Sequence, residues 1–165
     1  MLIRTLKDDE DIGALTELLH RAYAALAAAG LRYTATHQTS EVTRLRLSRG
    51  HPFIAELDGR VVGTATCYPP DPENILSWYR DENAFHFGQF GVDPEYQGRG
   101  VGQALHQALI DHALGGGAHY LLLDTAAPAH DLIAMYHRWG YVVVDRFDYA
   151  STNYESVITR KRLIP

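Results

Sequence analysis

The sequence predicts a mixed α/β fold: a twisted sheet of about seven strands, antiparallel in part and parallel near its middle, flanked by about four helices. Three observations carry this expectation. Two β-prone runs meet at Asp58-Gly59, a pair suited to a tight hairpin turn. The second half alternates strand, helix, strand, helix, strand, the pattern of crossover connections. Apolar residues at helical spacing recur in the stretches assigned to helices.

Leu2-Ile3-Arg4-Thr5-Leu6 reads as a short first strand. The acidic cluster Asp8 to Asp11 then supplies an N-cap and negative charge to a helix carrying Ile12, Leu15, Leu18, Leu19, Ala22 and Leu26, with Gly30 as its stop. A second helix begins at Thr39 or Ser40, with Ser40 as the cap, and ends at Gly50. Pro52–Leu57 and Val61–Tyr68 form the hairpin around Asp58-Gly59-Arg60. Residues 69–84, with Pro69, Pro70 and Pro72, read as an irregular insertion able to hold a helical turn, and loops of that length are often functional. Phe85–Val92 is strand-like, and Gly88 and Gly91 predict a bulge or a close approach by a ligand. Ala104, Leu105, Ala108, Leu109 and His112 form a helical stripe that ends at Gly115-Gly116-Gly117. Tyr120–Thr125 is a buried strand. Pro128 suits the first turn of the next helix, which runs through Leu132, Ile133, Met135 and Tyr136 to Gly140. Tyr141–Asp145 and Ser156–Arg162 are the last two strands.

The chain has 165 residues, 46% of them hydrophobic, enough for one core and too few for two ordinary domains, so 1–165 is read as a single domain. A net charge of -5 with no long basic cluster argues against a nucleic-acid surface, and an anionic ligand would have to be held locally. The lone cysteine, Cys67, has no disulfide partner and no zinc companions, which makes the cytoplasm the default. The first residues turn acidic before any leader-like apolar run, and no stretch is long enough to cross a bilayer, so no membrane role is expected.

Gln97-Gly98-Arg99-Gly100-Val101-Gly102 joins a strand to a helix N-terminus, where exposed N–H groups and the helix dipole suit a phosphate or pyrophosphate. Strand-to-helix turns use glycine routinely, so a purely structural turn is the plain alternative. The spacing fits neither a P-loop nor GxGxxG. What remains is QxxGxG after Val92-Asp93-Pro94-Glu95-Tyr96, and here the chain resembles the GNAT superfamily of N-acetyltransferases. Gly91 to Gly102 is similar to the family's fourth strand and acetyl-CoA loop, and Tyr136-His137-Arg138-Trp139-Gly140-Tyr141 to its tyrosine helix and following turn.

The resemblance implies the GNAT-like acyl-CoA N-acyltransferase fold, with acetyl-CoA as co-substrate. The N–H groups of Gln97, Gly98, Arg99, Gly100, Val101 and Gly102 would hold its pyrophosphate, and Phe90, Gly91 and Val92 would pair with the pantetheine arm like an added strand. Where the family often carries an asparagine ahead of the tyrosine, this chain has Ala129-His130-Asp131. The acetyl group would pass to a small-molecule or peptide amine by direct attack in a ternary complex, with Tyr136 as general acid, its phenol holding its proton at neutral pH. His86 is the candidate base, with Asp124, Glu95 or water as alternatives. Cys67, without an adjacent base, is read as a structural thiol, and the nine histidines lack metal-site spacing, so no metal is expected. Asp71, Glu73, Asp81 and Glu82 around Trp78 and Tyr79 make the insertion a candidate wall for a cationic acceptor, against the plain alternative of a solvated acidic loop. A catalytically silent acetyl-CoA sensor and a binder of another phosphate ligand are the competing functions. Dimers are common in such folds, and the sequence names no interface.

Overall fold

In the computed structural model, which describes residues 1–165, the strands are β1 (Leu2–Thr5), β2 (His51–Leu57), β3 (Arg60–Tyr68), β4 (Ala84–Val92), β5 (Tyr120–Ala126), β6 (Val142–Phe147) and β7 (Ser156–Arg162). They form one sheet in the order β1-β2-β3-β4-β5-β7-β6. Every neighbouring pair is antiparallel except β4 and β5, which run parallel because a helix connects them across the sheet. The helices are α1 (Ile12–Ala22), α2 (Ala24–Ala28), α3 (Ser40–Ser48), α4 (Ser77–Arg80), α5 (Val101–Gly115) and α6 (His130–Arg138). No helix is long and apolar enough to cross a membrane.

Side chains alternate across the sheet and divide the core in two. Ala55, Val62, Ala65, Leu121 and Leu123 face α5, where Leu105 and Leu109 are fully buried. Each such leucine contributes about 2 kcal/mol of transfer free energy. On the other face Ile54 packs against Ile12, Leu15 and Leu47 from α1 and α3, and Leu122 and Ile158 pack against Leu76 and Tyr79 around α4.

The seven strands and their mixed directions agree with the sequence reading, and the four expected helices are present with two short ones added. One is α4, inside the 69–84 insertion. The other is α2, because the first helix breaks at Tyr23, and the chain then turns at Gly30, whose φ is +83°. Asp11 caps α1 by accepting from the Ala14 N–H at 2.9 Å. The cap of α3 is Thr39, whose hydroxyl accepts from the Val42 N–H at 3.3 Å, and Ser40 is already helical. Pro128 lies outside α6, which starts two residues later on an Ala129 cap without a side-chain bond.

α5 and α6 meet at a buried aromatic junction. His106 stacks on Trp139 with ring centroids 4.6 Å apart, and its Nε2 lies 2.8 Å from the Tyr141 hydroxyl. Burial, assisted by the charge of Lys161, lowers the His106 pKa to about 4. The unfolded chain therefore takes up this proton near pH 6.5 while the folded one resists until about pH 4. The stability contribution is complete above pH 6.5 and is lost as pH falls toward 4. Urea unfolding of wild type and His106→Asn should show a stability gap at pH 7 that narrows across that window. A gap independent of pH would show that the neutral imidazole is not what the fold selects.

Candidate active site

β4 and β5 pair only at Ala84–Tyr120, Phe85–Leu121 and His86–Leu122. Beyond that point β4 stays with β3 as far as Val92 and β5 stays with β7 as far as Ala126, so the two parallel strands part. A cleft of about 1310 Å³ opens there, lined by Phe87 to Val92 on one side and Leu123 to Thr125 on the other. The parting coincides with a bulge in β4, where the register against β3 shifts between Thr64 and Thr66. The residue that takes the left-handed conformation is Gln89, with φ +49°, and not Gly88 or Gly91. A non-glycine there costs about 1 kcal/mol, and a buried network offsets it. Gln38 donates from Nε2 to Gln89 Oε1 at 2.7 Å, and Arg46 donates to Gln38 Oε1 at 2.6 Å. Gly91 is needed for a different reason: a Cβ on it would come within 3.0 Å of the Ala22 side chain.

At one end of the cleft the chain leaves β4 through a pinned turn. Arg21 of α1 pairs with Asp93 at 2.8 Å, and Asp93 accepts from the Glu95 N–H at 3.1 Å. After the 3-10 turn Pro94–Tyr96, Gly98 and Gly100 take φ values of +75° and +81°, with open space where a Cβ would stand. The first backbone bond of α5 runs from the Ala104 N–H to the Gly100 carbonyl. The six N–H groups from Gly98 to Gln103 donate to no protein acceptor. They open a 15-residue helix at the positive end of its dipole. Gln97, Gly98, Gly100, Val101 and Gly102 line the cleft, as do Phe90, Gly91 and Val92. Arg99 is the exception among the expected residues: its guanidinium lies 5.1 Å from the centre of the Tyr96 ring, and it does not line the cleft. The Phe90 carbonyl accepts from the Tyr23 hydroxyl at 3.0 Å, which fixes this edge of the slot.

Tyr136 reaches the cleft from α6. Its ring packs against Phe87 and Tyr141, and its hydroxyl has no hydrogen-bond partner in the protein. Burial, reinforced by Tyr23, Tyr141 and Tyr33, pushes its pKa well above that of a free phenol, so it stays protonated. On the opposite face of the sheet His86 stacks on Tyr68 and meets the edge of Tyr79. Its Nδ1 is shut off from solvent and from any partner, and burial lowers its pKa to about 4, so it is neutral at pH 7. Asp124, on the same face, accepts on Oδ2 from the hydroxyls of Tyr79 at 2.7 Å and Tyr149 at 3.1 Å. Its other oxygen is unpaired and water reaches the residue from the cleft, although the protein encloses it enough to raise its pKa.

Other sequence candidates lie elsewhere. Glu95 is exposed outside the cleft, and His130 does not line it. Cys67 is buried in the core beneath α5, where burial pushes its thiol up to about 12. Of the acidic residues in the insertion only Asp71 lines the cleft, and both its oxygens are engaged in the local turn, by the Glu73 N–H and the Asn74 side chain. The insertion contributes Tyr79 instead, which holds Asp124. Sequence reasoning missed Arg46, Tyr33, Tyr149 and Tyr154 in the lining. The one available signal was the count of ten tyrosines, seven of which line the cleft.

The model of the acetyltransferase (GNAT) family matches residues 13–141. L-2,4-diaminobutyric acid acetyltransferase of Nocardia farcinica is 33% identical over 89 residues, covering 53% of this chain and 41% of that protein. Human N-acetyltransferase 8B is 28% identical over 104 residues, covering 62% and 44%. The matches thus span less than half the length of these relatives. The ribosomal-protein-S18-alanine N-acetyltransferase of Escherichia coli superposes with a TM-score of 0.72 at 20% identity, over 98% of this chain and 93% of that one. A GNAT family acetyltransferase from Elizabethkingia anophelis with acetyl-CoA bound gives 0.69 at 15%, over 98% and 97%. These two similarities concern the fold. With the family model matched across most of its length, the chain belongs to the acetyltransferase (GNAT) family.

Proposed function

We propose that the protein transfers the acetyl group of acetyl-CoA to an amine by direct attack in a ternary complex. The observation that carries this reading is the run of six unpartnered N–H groups from Gly98 to Gln103, at one end of the cleft that Tyr136 also lines. Such a run at a helix start fits a pyrophosphate, whose oxygens can accept several main-chain donors at once. The open space at Gly98 and Gly100 lets the anion approach the backbone. Phe90, Gly91 and Val92 border the part of the slot that an extended pantetheine arm would occupy.

The thioester would then lie where β4 and β5 part, between Tyr136 and His86. Tyr136 donates its proton to the departing thiolate. Its hydroxyl is free to do so because no protein group competes for it, and its high pKa keeps the proton available. His86 accepts the proton lost by the attacking nitrogen. With Nδ1 buried and unpartnered, the imidazolium is poorly solvated, so the proton passes on to water in the cleft. The buried, unreactive Cys67 supports a route without an acyl-cysteine, and a thiol that needs no oxidising compartment supports a cytoplasmic location.

Two experiments test the roles. Tyr136→Phe removes a hydroxyl that bonds to nothing in the protein, so the fold should be unaffected. Turnover should fall about 100-fold or more at unchanged acetyl-CoA affinity, and an unaltered rate with chemistry limiting would remove it as the acid. For His86, kcat/KM should rise with pH as the amine deprotonates, since the imidazole is already neutral above about pH 5. His86→Gln should lower the plateau at least about tenfold without moving the inflection. An unchanged plateau would mean that water alone takes the proton.

A further inference from the structure

The acceptor half of the cleft carries two opposite charges that do not neutralise each other. Arg46, in the last turn of α3, spends one guanidinium nitrogen on Gln38, while Nη2 stands 3.7 Å from where a Cβ on Gly88 would be, at the point where β4 bulges. Asp124, which lines the cleft, has one oxygen engaged by Tyr79 and Tyr149 and one without a protein partner. Both residues line the same cleft, and the Arg46 charge is near enough to act on Asp124. Yet they make no ion pair: the four in the molecule are Arg4–Glu10, Arg4–Glu56, Arg21–Asp93 and Arg146–Glu155. An arginine and a carboxylate held apart inside one cavity, each with hydrogen-bonding capacity left over, are complementary to a molecule bearing both charges.

A clasp between two loops stands beside this half. Asn153, between β6 and β7, accepts from the Arg32 N–H at 2.8 Å and donates to the Gly30 carbonyl at 2.7 Å. Tyr154 packs on Tyr33 beside that clasp with ring centroids 5.0 Å apart. The loop after α2 and the loop before β7 are thus tied together next to the cleft, which both tyrosines line.

We propose that the acceptor is a small zwitterionic amine of the amino-acid type, its carboxylate held by Arg46 and its ammonium by Asp124. The inference rests on the acetyl-transfer reading above and specifies the acceptor class for that site. Asp124 binds the charged amine and sets it beside His86, and the nitrogen attacks once it has lost a proton to solvent. Arg46 fixes the other end, so that the amine meets the thioester in one orientation.

The test is thiol release from acetyl-CoA by the full chain. The acceptors are free L-amino acids, including diamino acids, each paired with its own carboxamide, together with spermidine and a peptide with a free N-terminal alanine. At least one free amino acid should exceed its carboxamide by about 10- to 100-fold in kcat/KM, the range for hydrogen bonds to a charged group. Arg46→Gln keeps an N–H donor for Gln38 but removes the charge, and it should bring that ratio close to one while acetyl-CoA affinity by calorimetry is retained. Equal use of acid and carboxamide by wild type, a ratio that survives Arg46→Gln, or activity confined to spermidine or the peptide would overturn the inference. Binding of acetyl-CoA with no amine acetylated would overturn it equally. Failure to bind acetyl-CoA at all would instead remove the reading on which it rests.

Discussion

The parting of two parallel strands organises this molecule. β4 and β5 hold each other for three residues, and the cleft opens from the third onward. Parallel neighbours in a sheet ordinarily continue to pair, because an unpaired buried N–H or carbonyl costs more than a hydrogen bond gains. Here the bulge at Gln89 bends β4 away, and the cleft takes the place of a shared ladder. The bend persists because Gln89 is tied by its side chain to Gln38, and Gln38 to Arg46. The same arginine that lines the cleft therefore also steadies a strand that borders it.

On the proposed reading, an acidic chain has to hold an anionic co-substrate. With a net charge of -5, a long-range positive field is not the means. Local dipoles are: six N–H groups at a helix start need no cationic side chain. Arg99, the one cation within the loop, lies over Tyr96 and away from the cleft lining. Elsewhere the cleft carries an arginine and a carboxylate, Arg46 and Asp124, among lining tyrosines.

Much of the fold was legible because its signals are local. Asp58-Gly59 makes the expected hairpin, with φ values of +51° and +76°, and the glycines at 98 and 100 take the left-handed conformations that their loop requires. Tyr136 could be placed on a helix ahead of a glycine turn. Long-range contacts were not legible. Nothing adjacent to Gln89 announces that Gln38, 51 residues away, makes a left-handed glutamine tolerable, so the bulge was expected at its glycine neighbours. Acidic residues near Trp78 suggested an acceptor wall, whereas the available carboxylate is Asp124 on β5, oriented by tyrosines from two distant segments. The clasp at Asn153 joins residues more than a hundred positions apart, and no local pattern encodes it.

The central claim is that the exposed main-chain amides at the start of α5 are the anchor for a pyrophosphate-bearing co-substrate. The direct measurement is residue-resolved amide hydrogen exchange on the full chain, with and without acetyl-CoA, with dephospho-CoA and ATP as comparison ligands. The account predicts strong protection of the amides from Gly98 to Gln103 with acetyl-CoA, retained with dephospho-CoA because the pyrophosphate is retained. Binding of acetyl-CoA that left these six amides exchanging as in the free protein, with protection appearing elsewhere, would contradict it.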